Sequence, residues 1–594
     1  MWREHRDEAV RGWASIGLRA AVVATATVAL MATRADAVVG EGEGGMDRIA
    51  KLQAEYAADP AAKRARAYHF GSQGPRDVFS NHTSHSNRLV PVYLFGRKAD
   101  LKSVMGEQSR YRKADEVKTI YGFLPKNTVN PLAEYADQSD LYRVQKDAIA
   151  RGVKHLFIVW FDGMDWPTTQ AAAIAKTGKV YNEGKGSGLV FQDYDAGGAA
   201  QFGYVVTSPT HDKNEPDLDR QTVVIPSNSL GGGYDAEIAG PNPWTLGPLG
   251  PKAPGYIKGS STNADDRAGI KSVGRVRHAY TDSSQSAAEM ISGVKSYNNG
   301  LNVTDDGRLV STLFHELQGK GWKVGTVTSV PFDHASPAAM YAQNVHRDDY
   351  QDLARAMLGL PGILQKARQA PLHPGLDVVI GCGFGIESHD QRRGMSAQGE
   401  NWKPGNLYLA DDDLTKIDVR NGGRYIVVHT EKGTDGGEAL LTGARNASKG
   451  SVRLFGFFGR EGLDHLPYRT ADGRYDPVAS LGRGGKPGPA EHYTRAELRE
   501  QPTLAEMTDA ALTVLADDPA RPFALFIEAG DVDFALHANN LDNAIGAVYS
   551  GEEAVQKVIR WVETHSNWDD SMLLVSADHG HYLVIDDPQT LAGQ

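Results

Sequence analysis

Five stretches of this chain place an acid, an imidazole or a hydroxyl at the end of an apolar run or the start of a helix. Lys154–Asp162 (KHLFIVWFD) ends on Asp162, and Phe332–Tyr341 (FDHASPAAMY) carries His334 and Ser336. Pro522–Glu528 (PFALFIE) ends on Glu528 and leads into Asp531, Asp533 and His537. Ser571–Ser576 (SMLLVS) runs into Asp578, His579 and His581. The fifth stretch, Tyr280–Asn299, opens on Asp282-Ser283 and continues through small residues and helix formers to Gly293. A serine at the first turn of a helix lies beside unpaired N–H groups and the positive end of the helix dipole, where an anion can be held. Taken singly, each acid is a turn or capping residue. Together, such carboxylates on one edge of a sheet would repel and raise one another's pKa. Divalent cations resolve that repulsion. Asp with His suits zinc, and Asp, Glu, hydroxyl and water suit magnesium. Asp533 and His537 are four apart, so a helix projects them from one face.

The elements needed to position these groups are those of an α/β protein. Continuous apolar runs without alternation predict strands buried on both faces of a mostly parallel sheet. In such sheets ligands gather at the C-terminal strand ends, where these residues stand. Further strands are predicted at Trp322–Val330, Leu376–Gly383, Tyr425–His429 and Arg453–Phe458. Helices are predicted at Trp166–Lys176, Leu309–Gln318, Pro502–Ala516 and Ala544–Thr564. The expected architecture is a three-layer sandwich, a central sheet flanked by helices, over residues 151–594. Insertions are expected at about 187–275, 391–408 and 473–495. Residues 38–150 read as an N-terminal extension without chemistry of its own: a polar Ala-rich helix at Met46–Tyr68, a short or edge strand at Leu89–Phe95 interrupted by Pro91, and a helix at Leu141–Gly152. His211, Asp212 and Asp217 read as a solvated loop, and Cys382 as packing.

Composition narrows the classes. A formal net charge of −11 argues against broad nucleic-acid binding. With one cysteine, neither an intramolecular disulfide nor a thiolate zinc cluster can form, so a metal must be held by Asp, Glu, His or hydroxyl groups. Residues 1–37 read as a Sec-type signal peptide: Arg3, Arg6, Arg11 and Arg19, then the apolar Ala20–Ala32, then Ala35-Asp36-Ala37 as cleavage site. The expected location is the periplasm or the medium, with no membrane attachment after cleavage.

The motifs TDSSQSAAEMISGVKSYNN, HASPAAMYA with Arg347 behind it, IEAGDVDFALHA and SADHGH, together with FDGM, resemble the alkaline phosphatases. They occur in the family's order from about residue 155 to 581. The resemblance implies hydrolysis of phosphate monoesters to an alcohol and inorganic phosphate through a phosphoserine on Ser283. It implies that Arg347 holds two phosphate oxygens. Asp162, Asp578 and His579 would bind the zinc beside Ser283, and Asp533 and His537 the zinc beside the leaving group. Asp162, Glu528, Ser336 and, directly or through water, His334 would face a magnesium ion. It also implies a homodimer. The chain departs from the family at two points. His334 stands where some members have Asp. The family's leaving-group zinc takes a further His from well downstream of the ADHxH motif, yet only thirteen residues follow His581 and none is His. That zinc site is therefore expected to be incomplete and the last part of the family's sheet to be missing. The alternative reading is a catalytically impaired metal- and phosphate-binding homologue, or a phosphodiesterase of the same superfamily.

Overall fold

The computed structural model describes residues 89–234, 281–386, 398–475 and 491–593 apart from 539, 582, 584, 586 and 587, together with 38–39, 48–49, 51–52, 85–86 and 236. The signal-peptide reading of 1–37 and most of the Met46–Tyr68 helix lie outside these residues. Ten strands form one sheet. In chain order they are β1 (Val90–Phe95), β2 (Ala136–Asp137), β3 (His155–Phe161), β4 (Ala200–Val206), β5 (Lys323–Pro331), β6 (Val378–Cys382), β7 (Tyr425–His429), β8 (Arg453–Phe457), β9 (Phe523–Ala529) and β10 (Ser571–Ser576). Their order across the sheet is β7-β8-β6-β5-β9-β3-β10-β1-β4-β2. The seven strands from β7 to β10 are all parallel. β1 then pairs antiparallel with β10, and β4 antiparallel with β1.

The central strands are buried along their whole length, as their unbroken apolar runs require. The principal helices are α1 (Asp140–Ala150), α2 (Trp166–Thr177), α3 (Ser283–Ser292), α4 (Ala335–Ala339), α5 (Gly436–Gly450), α6 (Leu504–Leu515), α7 (Asp531–His537) and α8 (Leu541–His565). α5, α6, α8 and α2 pack side by side along one face. α3, α4 and α1 form the other layer, with a short helix at Leu313–Gly319. This is the three-layer α/β sandwich that the apolar runs predict.

Three expectations need correction. The segment read as an extension supplies β1 and β2 to the central sheet, and β4 lies within the stretch read as an insertion. Beyond β10, strands β1, β4 and β2 continue the sheet. Pro91 does not place β1 at an edge. Its carbonyl accepts a bond from the Ser576 hydroxyl at 2.9 Å, so its ring nitrogen also faces β10, beyond the last ladder pair at Val575 and Tyr93. No sheet hydrogen bond is lost where none is needed.

Candidate active site

The C-terminal ends of the parallel strands share one edge, and the acids predicted there converge on it. Asp162 follows β3, and Asp578 and His579 follow β10. Together they form a buried group whose ligand atoms lie within 4.8 Å of one another. His579 Nε2 is 3.2 Å from Asp162 Oδ1 and 3.7 Å from Asp578 Oδ2. Asp578 is fixed from behind, since its Oδ1 accepts from the Gly163 N–H at 3.1 Å and from the His579 N–H at 3.0 Å.

Ser283 opens α3 directly against this group. Its Oγ is 3.1 Å from His579 Nε2 and 3.4 Å from Asp162 Oδ1. Asp282 caps the helix, its side chain accepting from the Gln285 N–H, and Gly293 ends the helix in the left-handed conformation. Asp282 also accepts from Arg347 Nη1 at 3.1 Å, and Arg347 Nη2 lies 3.1 Å from His334 Nε2. Burial, and then the Arg347 charge, hold His334 down at about 3, so its ring is neutral. His334 thus sits against Arg347 and belongs to neither metal-ligand group among the described residues.

Asp533 and His537 project from one face of α7, with Asp533 Oδ1 3.2 Å from His537 Nε2. They are joined by two further histidines within the same 4.8 Å limit, His85 and His581. His581 Nε2 is 2.7 Å from Asp533 Oδ1. His85, which sequence reasoning missed, comes from the segment read as an extension without chemistry of its own and lies in the group around Asp533. His85–Ser86 pairs antiparallel with Gly580–His581, which fixes the ring in place. His85 Nδ1 lies 2.6 Å from the Thr281 carbonyl, so Nδ1 carries the proton and Nε2 presents its lone pair. That lone pair lies 3.2 Å from His537 Nε2 and 3.6 Å from Asp533 Oδ1.

The electrostatics of this edge are those of crowded buried acids. Burial, and then the Asp578, Asp533 and Glu528 carboxylates, push Asp162 well above the usual range. Burial, then Asp578, lift Glu528 to about 8 against the opposing bond from Thr328. Burial works to raise Asp533 as well, but the surrounding histidines outweigh it and hold the group well below its ordinary value. Asp162 Oδ2 and Glu528 Oε1 are buried without a hydrogen-bond partner. Beside them the Thr328 hydroxyl donates to Glu528 Oε2 at 2.5 Å, and the Ser336 hydroxyl to Asp578 Oδ2 at 3.4 Å. Clustered carboxylates, imidazole nitrogens turned toward one another and orphaned buried oxygens are the donor set of a cation centre. The residues present therefore fit divalent metals.

Gly163 leaves room for His581. It has φ +73°, and a Cβ there would lie 2.6 Å from the His581 ring. Of the predicted residues, Asp162, Ser283, Asp533, His537, Asp578 and His579 meet in two adjoining groups. Ser336 and Glu528 flank them, and His334 and Arg347 pair with one another.

The family model of alkaline phosphatases matches residues 258–593. The alkaline phosphatase of Escherichia fergusonii is 27% identical over 320 residues, covering 52% of this chain and 60% of that protein. That of Escherichia coli is 26% identical over 324 residues with the same coverage. Alkaline phosphatase H of Pseudomonas aeruginosa is 26% identical over 318 residues, again covering 60% of that protein. The chain thus spans about 60% of the length of these curated relatives. Among solved structures, the Thermus thermophilus alkaline phosphatase matches with a TM-score of 0.40 at 20% identity, covering 73% of this chain and 60% of that one. With the family model matching more than half of its length, the chain belongs to the alkaline phosphatase family.

Proposed function

We propose that this chain hydrolyses phosphate monoesters by transferring the phosphoryl group first to Ser283 and then to water. The observation that carries the reading is the position of the Ser283 hydroxyl, 3.1 Å from His579 Nε2 at the mouth of two adjoining Asp/His groups. His85, Asp533 and His537, with His581 beside them, would hold a zinc ion, and Asp162, Asp578 and His579 a second. Glu528, Asp162 and the Ser336 hydroxyl would face a magnesium ion, with His334 alongside. When bound, these cations would lower the pKa of the serine hydroxyl and neutralise charge on the departing oxygen.

The chain's own residues do the rest. Ser283 Oγ forms a bond to phosphorus as the bond to the leaving oxygen breaks, and water then cleaves the phosphoserine to release inorganic phosphate. Arg347 offers its planar fork to two phosphate oxygens, and Asp282 keeps that fork aimed. The N-terminus of α3 adds N–H groups and dipole to the same anion. The reading of an impaired homologue rested on an absent downstream histidine, and the place of His85 beside Asp533 and His537 supports the active reading over it. The Arg347 and Glu528 sets favour a monoesterase over a phosphodiesterase.

The test is hydrolysis of a chromogenic phosphate monoester at alkaline pH, with zinc and magnesium, with chelator, and by Ser283→Ala. Chelator-sensitive, Ser283-dependent turnover is expected; absence of turnover by the metal-loaded wild-type chain would sink the reading. Among the described residues no helix is long and apolar enough to cross a membrane. We also propose export to the periplasm or medium, which N-terminal sequencing of the secreted chain tests by a start at Val38.

A further inference from the structure

Behind the nucleophile helix lies a buried charge cluster that the proposed chemistry does not use. Lys295 follows the Gly293 cap of α3, and its side chain is 3% exposed. Its Nζ is 3.1 Å from Asp137 Oδ2, 3.1 Å from Glu289 Oε2 and 2.7 Å from the Ser208 carbonyl. Asp137 is fully buried at the end of β2, where Tyr111 and Ser139 donate to it. Glu289 is fully buried on α3. Its oxygens accept from the Ser296 N–H at 2.7 Å, from the Gln138 amide and from Lys295. The ring of Tyr121 lies under the ammonium at 5.1 Å. The titratable groups around Glu289 are thus Lys295, Asp137 and the phenols of Tyr111 and Tyr121.

Burying one ammonium between two carboxylates is costly unless every bond is made, and apolar replacement of such a cluster is often neutral or stabilising. Its effect here is on geometry. The turn that begins at Lys295 reaches the front of the site within four residues. The Asn298 side chain accepts from the Asp282 N–H at 3.1 Å, and the Asn299 N–H donates to Asp282 Oδ1 at 3.1 Å. The Asn299 carbonyl accepts from the Arg347 N–H at 2.8 Å. The turn held at its start by Lys295 therefore anchors the cap of the Ser283 helix and the backbone of Arg347.

We propose that Lys295, held between Asp137 and Glu289, is a positioning residue that sets the 295–299 turn and, through it, the alignment of Asp282, Ser283 and Arg347 on the phosphoryl group. The inference rests on the phosphoryl-transfer reading of the site. Lys295 touches neither ligand group, so its removal leaves the metal donors intact.

The test compares wild type, Lys295→Met, Lys295→Arg and Glu289→Gln as metal-loaded full chains at pH 9.5. Burial pushes Glu289 up to about 8, so it is ionised at that pH. Four quantities are read: kcat, KM for a chromogenic phosphate monoester, the dissociation constant of inorganic phosphate by calorimetry, and zinc per chain. We expect Lys295→Met to keep its zinc, lose kcat by about 10- to 100-fold and bind phosphate several-fold more weakly. Lys295→Arg should recover most of both, and Glu289→Gln should show the same pattern in smaller degree. Should Lys295→Met not fold, the Glu289→Gln and Lys295→Arg arms decide. Variants that lose thermal stability while kcat and phosphate affinity per folded molecule stay at wild-type values would overturn the proposal. Wild type that binds phosphate without turnover would instead overturn the phosphatase reading, and the phosphate constants of the variants would still judge the turn.

Discussion

His85 and His537, 452 positions apart in the chain, bring their ring nitrogens to within 3.2 Å of each other. Two imidazole nitrogens this close need a proton or a cation between them. His85 Nδ1 is committed to the Thr281 carbonyl, so its lone pair is the one that faces inward. This contact ties the short His85–Ser86 segment to the helix that carries Asp533, and the bond to Thr281 ties it to the residue preceding the Asp282 cap.

His85→Ala should therefore lower zinc content by about one ion per chain and reduce turnover by at least about 100-fold, since even outer-shell partners cost 10–100-fold in metal affinity. Zinc counted on the purified variant beside wild type checks this. Two tightly held zincs and near-normal turnover would remove His85 from the site.

Ser283→Ala should keep the fold and both metal groups, because Asp162, Asp578 and His579 do not depend on the hydroxyl for support. Turnover should fall by at least about 1,000-fold, as nucleophile removal does in serine enzymes. Trapping with labelled phosphate at acid pH should label wild type and leave the variant unlabelled. Label on the variant would move the nucleophile elsewhere.

Asp162, Ser283, Glu528, Asp533, Asp578 and His579 were legible because each follows an apolar run or opens a helix, and parallel strands carry such residues to one edge. His85 was not. It stands before its strand, in the polar stretch Ser80–Arg88, and its two-residue pairing with Gly580–His581 has no periodicity to detect. β1 runs antiparallel to β10, so the start of β1 lies at the same edge as the C-terminal end of β10. Chemistry just before an antiparallel strand is equivalent to chemistry just after a parallel one, but that orientation is not written in the run itself. Pro91 added to the difficulty by marking an interior strand as an edge.

Arg347→Ala should weaken inorganic phosphate binding by about 1.5–3 kcal/mol, the range for a hydrogen bond to a charged group. Asp282→Asn should weaken it less, because the guanidinium stays and only its aim is loosened. Competitive inhibition constants for phosphate measure both. A larger loss for Asp282→Asn than for Arg347→Ala would mean that the Asp282 charge does more than aim the guanidinium, since Asn keeps the helix cap.

Removal of metal should destabilise the chain at neutral pH. Asp162 and Glu528 are pushed upward by burial and by neighbouring carboxylates, a repulsion that a bound cation would offset. A ligand present at 100 times its dissociation constant stabilises the folded state by about 2.7 kcal/mol. Thermal unfolding with chelator should therefore occur at a lower temperature than with zinc and magnesium, and added metal should restore the original midpoint. Coincident midpoints would mean that these groups hold no ion in the folded chain.

Gly163→Ala tests the packing of the site without removing a donor. Gly163 has φ +73°, a conformation that costs a side-chain-bearing residue on the order of 1 kcal/mol, and its new Cβ would meet the His581 ring at 2.6 Å. The Gly163 N–H also holds Asp578 at 3.1 Å, so a shift of this turn disturbs both ligand groups together. The expected outcome is a loss of about 2–3 kcal/mol in stability with a drop in zinc affinity at both positions. Paired measurements of unfolding midpoint and zinc dissociation would check it. Stability lost with zinc affinity intact would mean that His581 moves aside freely and does not help to fix Asp533.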